Sequence, residues 1–155
     1  MTSMNAIDAI QRDVTVSAEP ARAFQLFTAG IGSWWPTKTH SLAAEEEHAV
    51  RSVVFEERTG GRVYEVAADG AEDTWATVLV WEPPTRLVLA WKPSHRDEPP
   101  TEVEVRFSPA GSGTRVDLEH RGWERLGADA AERAESYPDG WVLVLGRFAA
   151  AVAKR

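Results

Sequence analysis

The chain has 155 residues, of which 43% are hydrophobic and 26% are charged, and its formal net charge is −7. This length and composition are typical of one globular domain, so we expect a single domain spanning residues 1–155. The negative charge argues against nucleic acid or an anionic membrane as the main partner, because both require a basic surface. The absence of cysteine excludes disulfides, thiolate metal ligands and cysteine nucleophiles.

Neither a secretory signal nor a membrane-spanning segment is expected from the sequence. Residues 1–8 lack a basic start followed by an apolar core. No apolar run approaches the roughly 20 residues that a helix needs to cross a bilayer. The sequence therefore predicts a cytoplasmic protein without membrane insertion.

The first part of the chain predicts one strand followed by short helices. Residues 10–16 alternate between apolar and polar side chains, as in a half-buried strand. The predicted inner side of this strand carries Ile10, Arg12, Val14 and Val16. A helix then begins near Pro20 and buries Phe24 and Phe27, and the glycines at positions 30 and 32 end or divide it. The polar residues 37–48 predict a loop or a short frayed helix.

Six further strands and a final helix follow. Alternation and turn signals predict strands at residues 51–57, 62–68, 74–81, 86–92, 101–108 and 114–121. The last two of these strands share an apolar inner face and a charged outer face, as expected of an antiparallel sheet that is solvated on one side. A final helix opens at Gly140-Trp141, and its apolar stripe consists of Trp141, Leu145, Phe148 and Val152.

Six short motifs, in order along the chain, carry a resemblance to a known superfamily. They are residues 10–16 with Pro20, Phe24 and Phe27; Trp34-Trp35-Pro36; Gly60-Gly61-Arg62; Glu82-Pro83-Pro84 with residues 87–91; Gly113-Thr114-Arg115-Val116; and Gly140-Trp141. The chain resembles the SRPBCC (START-like, birch-pollen-allergen-like) superfamily, in the branch named after the activator of the heat-shock-protein ATPase. The resemblance implies an α+β helix-grip fold. In that fold a seven-stranded curved antiparallel sheet surrounds a C-terminal helix, and two short helices lie between strands 1 and 2.

The same resemblance implies a cavity between the sheet and the last helix. Members of the superfamily bind lipids, sterols, polyketides or plant hormones, and a minority are cyclases or dehydratases. Three segments are also similar to the calicheamicin self-resistance members of this branch: Trp34-Trp35-Pro36, Glu119-His120 and Glu124-Arg125-Leu126-Gly127. This similarity favours an antibiotic-like aromatic molecule as the ligand.

Arg12 and His120 are the polar residues that we expect to face a ligand. Each lies on the apolar side of its predicted strand, and in the resembled fold the first and seventh strands pair antiparallel. The two side chains would then be close together inside the cavity. An enclosed Arg or His must be hydrogen-bonded or paired, so together they could hold a carboxylate, phenolate or carbonyl. The alternative is that both contact water or loop carbonyls at the end of the sheet.

The other predicted ligand-binding residues are Trp35, Tyr64, Trp75, Trp91, Phe107, Trp141 and Leu145. On the fourth and fifth predicted strands, alternation places one set of side chains on the same face of the sheet: Trp75, Thr77, Leu79, Trp81, Leu87, Leu89 and Trp91. If this face points inward, the tryptophans line the cavity. If it points outward, the aromatic patch would suggest a homodimer or another partner surface.

Catalytic and metal signals are weak in this sequence. Glu65 is the one carboxylate that can face inward as an acid or base, although the pattern of its strand does not decide its side. His40 and His48, with Glu45-Glu46-Glu47 between them, match no metal-binding spacing. No nucleophile elbow or phosphate-binding glycine loop is present, so we expect no cofactor and no metal.

Three functions therefore remain open. The first is non-enzymatic sequestration of a small hydrophobic, aromatic or polyketide-like molecule. The second is a cofactor-free cyclase or dehydratase that uses His120 or Glu65 for acid–base chemistry. The third is a protein-interaction module, like the cochaperone after which the branch is named.

Overall fold

The computed structural model describes residues 8–37, 40, 49–93, 97–135 and 137–153. Within them lie β1 (Ile10–Val16), α1 (Pro20–Thr28), β2 (Val50–Phe55), β3 (Arg62–Ala67), β4 (Glu72–Glu82), β5 (Arg86–Trp91), β6 (Thr101–Ala110), β7 (Gly113–Arg121), α2 (Ala130–Glu135) and α3 (Pro138–Ala153). Two 3-10 helices, Ile31–Ser33 and Trp123–Asp129, follow α1 and β7. No helix in these parts of the chain is both long and apolar enough to cross a bilayer.

The seven strands form one antiparallel sheet in the order β1-β7-β6-β5-β4-β3-β2. Consecutive strands from β2 to β7 are neighbours, and β1 joins the sheet beside β7. The sheet curls into a half-barrel with α3 against its inner face, which confirms the predicted α+β helix-grip fold.

Two glycines allow the chain to turn where the sheet requires it. Gly70 follows Asp69 in the β3–β4 turn with a φ of 91°, a left-handed conformation that most side chains avoid. Gly113 begins β7 where the backbone of β1 passes close by. A Cβ atom at Gly113 would collide with the carbonyl oxygen of Val16, so only glycine fits between these strands.

The helices cover the half-barrel with apolar side chains. Phe24 and Phe27 of α1 contact Phe107 of β6, with ring centroids 5.0 and 5.7 Å apart, and Phe27 also meets Phe148 of α3 at 5.2 Å. The helix α3 begins at Pro138, two residues earlier than predicted. Proline is favoured in a first helical turn because its missing N–H would have no intrahelical acceptor there.

The outer face of the sheet carries a cluster of ion pairs around Glu104. The carboxylate of Glu104 is 5% exposed and receives hydrogen bonds from Arg86 (2.6 Å), Arg106 (2.8 Å) and Arg121 (2.6 Å). Burial alone would raise the pKa of Glu104, but these three arginines lower it to about 2. The carboxylate therefore stays ionised throughout the neutral range and links strands β5, β6 and β7.

Replacing Glu104 with glutamine should destabilise the protein because three arginines then lose their shared counter-charge. With a folded pKa below the ordinary value, the Glu104 contribution is complete above about pH 4.5 and is lost as the pH falls towards 2. Allowing for solvent screening, we expect the substitution to lower the free energy of unfolding by about 2 kcal/mol at pH 7 and by almost nothing at pH 2. Urea unfolding at several pH values measures this difference. Glu82→Gln, at the exposed end of the Arg86 pair, is the control, and equal losses for both variants would contradict the prediction.

Candidate functional site

Four buried tryptophans meet between the sheet and the start of α3. Trp35 follows the first 3-10 helix, Trp75 and Trp91 come from β4 and β5, and Trp141 lies in the first turn of α3. The ring centroid of Trp35 is 4.9 Å from that of Trp75 and 6.1 Å from that of Trp91, and Trp91 lies 5.4 Å from Trp141. We refer to these four residues as the indole cluster.

The face that carries Trp75 and Trp91 points inward, but the predicted parity of β4 is wrong at Thr77 and Leu79. Irregularities in the pairing of β4 with both of its neighbours shift its residues relative to the sheet faces. Val78 is consequently buried, whereas Leu79 is 44% exposed. An extra residue in a strand changes which side chains face the core, and simple alternation in the sequence does not show it. Trp81 is half-buried and contacts Phe24 at 5.1 Å, away from the indole cluster.

One member of the indole cluster has an unsatisfied donor. Trp91 is 6% exposed, and its Nε1 is a buried side-chain atom that lacks a hydrogen-bond partner among the described residues. The other three members donate to His40 O (from Trp35, 2.6 Å), Glu65 Oε1 (from Trp75, 2.6 Å) and His120 Nδ1 (from Trp141, 3.0 Å). Because buried polar groups are almost always paired, the Trp91 N–H stands out as a donor available to an acceptor from elsewhere.

Glu65 is a buried carboxylate beside this cluster. It lies on the same side of β3 as buried Val63, is 0% exposed, and accepts the hydrogen bond from Trp75. The sequence did not decide on which side of β3 Glu65 lies, and the structure places it on the inner side. This position brings a group capable of acid–base chemistry into direct contact with Trp75 of the indole cluster.

His120 lies at the other side of the cluster and is completely buried. Its Nδ1 accepts the hydrogen bond from Trp141, since an indole nitrogen can only donate. Neutral His120 must then carry its proton on Nε2, which donates to Thr101 Oγ1 at 2.7 Å. The Thr101 hydroxyl in turn donates to the Trp91 carbonyl oxygen at 3.3 Å.

Both nitrogens of His120 are thus bonded to protein, and aromatic rings pack around the imidazole. The imidazole lies 4.1 Å from the Trp123 ring and 4.8 Å from the Tyr137 ring, and Trp123 Nε1 donates to the His120 carbonyl oxygen. Burial lowers the pKa of His120 to about 3, so the ring is neutral at physiological pH. His120 is therefore a neutral link between β7 and α3 whose two ring nitrogens are bonded to protein, and its ligand-facing or acid–base role stays a prediction.

Arg12 does not meet His120, contrary to expectation. The strands β1 and β7 pair antiparallel as predicted, but the register places Ile10 opposite His120 and Arg12 opposite Leu118. The Arg12 guanidinium donates to the Gln11 carbonyl oxygen at 2.8 Å. It lines a surface groove of about 360 Å3 among the charged residues Asp13, Glu104, Arg106, Arg115, Asp117 and Glu119. Arg12 therefore lies opposite buried Leu118, as expected for the inner side of β1, but its guanidinium bonds to backbone at the edge of the sheet.

The remaining predicted site residues divide between the interior and the surface. Leu145 is buried on α3, the helix that also carries Trp141, and Phe107 is buried beneath α1. Tyr64 lies on the side of β3 opposite to Val63 and Glu65, with the Arg62 guanidinium 4.0 Å above its ring. This placement corrects the expectation that Tyr64 lines the interior.

Thr101 and Trp123 contact His120 beside the indole cluster, and sequence reasoning missed both of them. Thr101 pairs directly with Trp91 across β5 and β6, so the strand register would have placed them side by side. Trp123 follows the left-handed Gly122, which turns the chain so that the indole covers His120. A Gly-Trp pair immediately after a strand was the available signal.

The described residues contain no group of three or more potential metal ligands among their histidines and carboxylates. His48 and Glu45-Glu46-Glu47 lie outside the described residues. The backbone carbonyl oxygen of His40 accepts the hydrogen bond from Trp35.

Comparison with known proteins identifies the family. No protein of curated function matches the chain significantly. An anthrahydroquino-gamma-pyrone synthase, Txn09, solved in complex with SUM, is 32% identical, with 94% of this chain and 97% of that chain covered and a TM-score of 0.60. The self-sacrificing resistance protein CalC from Micromonospora echinospora is 29% identical, with 94% of each chain covered and a TM-score of 0.68.

A third similar structure shares the fold at low identity. The Aha1 dimer from Colwellia psychrerythraea is 13% identical, with 94% of this chain and 96% of that chain covered and a TM-score of 0.62. The model of the family described as Activator of Hsp90 ATPase homolog 1-like protein matches residues 17–153. Since this match spans most of the sequence, the chain belongs to the family of Activator of Hsp90 ATPase homolog 1-like proteins.

Proposed function

We propose that this protein binds a small, planar aromatic molecule that carries an oxygen acceptor, between the inner face of the sheet and α3. The single observation that carries this proposal is the unpaired, buried Nε1–H of Trp91 within the indole cluster. Aromatic walls with a few placed polar groups are the usual form of a small-molecule site. A ligand carbonyl or phenol oxygen would satisfy the donor while the neighbouring indoles bury the ligand's rings.

The name of one of the two relatives of higher identity supports this class of ligand. One is named as a synthase of an anthrahydroquino-gamma-pyrone and the other as a self-sacrificing resistance protein. A fused-ring quinone or hydroquinone combines flat apolar faces with oxygen acceptors at its edge. The proposed ligand-binding residues are Trp35, Trp75, Trp91, Trp141 and Leu145. We further propose that the protein acts in the cytoplasm and needs no cofactor.

The proposal is tested with a matched pair of ligands and a matched pair of variants. The ligands are a dihydroxyanthraquinone and anthracene, which has the same ring system without oxygen. The variants are Trp91→Phe, which removes the N–H but keeps an aromatic ring, and Trp81→Phe, which changes a tryptophan distant from the cluster. Tryptophan fluorescence quenching and isothermal calorimetry measure the affinities.

We expect Trp91→Phe to weaken anthraquinone binding about tenfold, which corresponds to one lost hydrogen bond. Anthracene binding should change much less, and Trp81→Phe should leave both affinities near those of the wild type. Equal affinities of wild type and Trp91→Phe for the anthraquinone would show that the donor is unused. If neither compound binds, and native mass spectrometry of protein from its own cells shows no copurified small molecule, the ligand-binding function itself is rejected.

Glu65 favours a second candidate function, a cofactor-free cyclase or dehydratase acting on the same class of molecule. Its buried carboxylate is bonded to Trp75 of the indole cluster, whereas neutral His120 has both nitrogens engaged. Of the two residues first considered for acid–base work, Glu65 is therefore the better placed. Turnover of a polyketide substrate by the wild type, abolished in Glu65→Gln with binding retained, would support this enzyme over a pure binder.

A further inference from the structure

The helix α3 is apolar on two opposite sides. Its buried side carries Trp141, Val144, Leu145, Phe148 and Val152. On the opposite side, Val142 is 57% exposed and Leu143 is 43% exposed, and both Gly146 and Ala150 face solvent. Among the described residues only one other large hydrophobic side chain, Leu79 of β4, is comparably exposed. A helix that is apolar all round is usually covered on both sides, so this outer face needs an explanation.

Two opposite charges flank this exposed face at equal distances from Leu143. Asp139 lies four residues before Leu143 and Arg147 four residues after it, and both side chains are exposed. Neither makes a hydrogen bond or an ion pair with any other residue that the structure describes. The spacing of eight residues corresponds to about 12 Å along the helix. We refer to Asp139, Val142, Leu143, Gly146, Arg147 and Ala150 as the outer face of α3.

We propose that the outer face of α3 binds a second copy of this chain, with the two helices antiparallel and related by a two-fold axis near Leu143. A two-fold contact brings residue i of one copy opposite residue j of the other, and the reverse. With the axis at Leu143, Asp139 of each copy faces Arg147 of the other. The dimer then contains two equivalent Asp139–Arg147 ion pairs. Val142 and Leu143 of the two copies form the apolar centre.

The small residues of this face suit a close helix–helix contact. A Cβ atom at Gly146 would have no neighbour within 4 Å, so the surface is open above it. Gly146 and Ala150 are both exposed, and their small side chains leave room on this face beyond Leu143. Side chains of one helix can pack into such a space on another. An anionic membrane is a poorer occupant, because the chain carries a net charge of −7.

Sedimentation equilibrium over a concentration series, with the full chain, tests this proposal. The wild type should dimerise, and Leu143→Glu should weaken the dimer at least tenfold by placing two carboxylates at the axis. Leu79→Glu is the matched control, because it makes the same change at the exposed hydrophobic residue of β4, and it should leave dimerisation unchanged. Circular dichroism melts of each variant show whether the monomer itself remains folded.

A charge-reversal cycle tests the proposed register independently. Asp139→Arg and Arg147→Asp should each weaken the dimer about tenfold, since each replaces two attractive contacts with two repulsive ones. The double variant restores both pairs and should recover most of the affinity, with a dependence on salt concentration. A wild type that stays monomeric at about 1 mM overturns the proposal. A dimer that resists Leu143→Glu, or a double variant as weak as the singles, also overturns it.

Discussion

Replacement of His120 by phenylalanine is expected to lower the free energy of unfolding at pH 7 by about 3 kcal/mol. Phenylalanine keeps an aromatic ring against Trp123 and Tyr137, so most of the packing survives. It removes the acceptor for Trp141 Nε1 and the donor to Thr101 Oγ1, and it leaves the indole N–H buried without a partner. For a chain of this length, such a loss lowers the melting temperature by about 6–12 °C.

The same variant should also change the response to acid. Burial lowers the pKa of folded His120 to about 3, whereas the unfolded chain takes up a proton near the ordinary value of 6.5. Below pH 6.5 the unfolded state therefore binds a proton that the folded state rejects, and stability falls as the pH decreases towards 3. A neutral phenylalanine cannot bind that proton, so the stability of His120→Phe should fall less steeply in this range.

Urea unfolding of both proteins between pH 7.5 and 4 measures the two effects together. Trp141→Phe and the double variant complete a cycle, because the double variant removes both partners of the Trp141–His120 hydrogen bond and leaves no orphaned indole N–H. We expect the double variant to be clearly more stable than the sum of the single losses predicts. If the acid slopes of wild type and His120→Phe coincide, His120 is not the buried neutral group that the structure shows.

Substitution of Glu65 by leucine is expected to cost about 3 kcal/mol of stability, even though leucine is the more hydrophobic residue. The carboxylate accepts the Trp75 Nε1 hydrogen bond at 2.6 Å in a fully buried position. Leucine leaves that indole N–H unsatisfied in the interior. Disturbed packing of Trp75 would also reach Trp35, whose ring centroid lies 4.9 Å away.

Glu65→Gln is the matched control for this substitution. Its amide oxygen can still accept from Trp75, so we expect a loss of about 1 kcal/mol. Chemical denaturation gives the stabilities, and near-ultraviolet circular dichroism reports the order of the tryptophan rings. A leucine variant as stable as the glutamine variant would mean that the Glu65–Trp75 bond contributes little to the fold.

The sequence was a reliable guide where side chains alternate without interruption. The strands β6 and β7 show regular apolar and charged positions, and the structure has the same inner and outer faces. It failed in β4, because a change of register beyond Trp75 turns Leu79 outward. Such a change depends on the pairing of neighbouring strands, which a single strand's pattern does not contain.

The candidate site was predicted in outline but not in its chemistry. The parity of β5 grouped Trp91 with Leu87 and Leu89 without deciding which way this face points, and the structure buries all three; the start of the last helix pointed to Trp141. The expected Arg12–His120 pair is not formed: the register offsets the two residues by two positions, and the Arg12 guanidinium bonds to the Gln11 carbonyl oxygen instead. The sequence also could not show that Trp91, among the four indoles of the cluster, lacks an acceptor in the described part of the chain, because hydrogen-bond pairing depends on three-dimensional contacts.

The position of β1 beside β7 has a consequence for how the protein comes together. The strands β6 and β7 are joined by a tight turn, whereas Asp13 of β1 and Arg115 of β7, which form an ion pair, are 102 residues apart in sequence. Closing so long a loop costs chain entropy before any contact compensates for it, and long-range pairing of this kind slows folding. The meander from β2 to β7 can grow by neighbouring hairpins alone. The half-barrel is therefore completed only when β1 meets β7, after all seven strands have been synthesised.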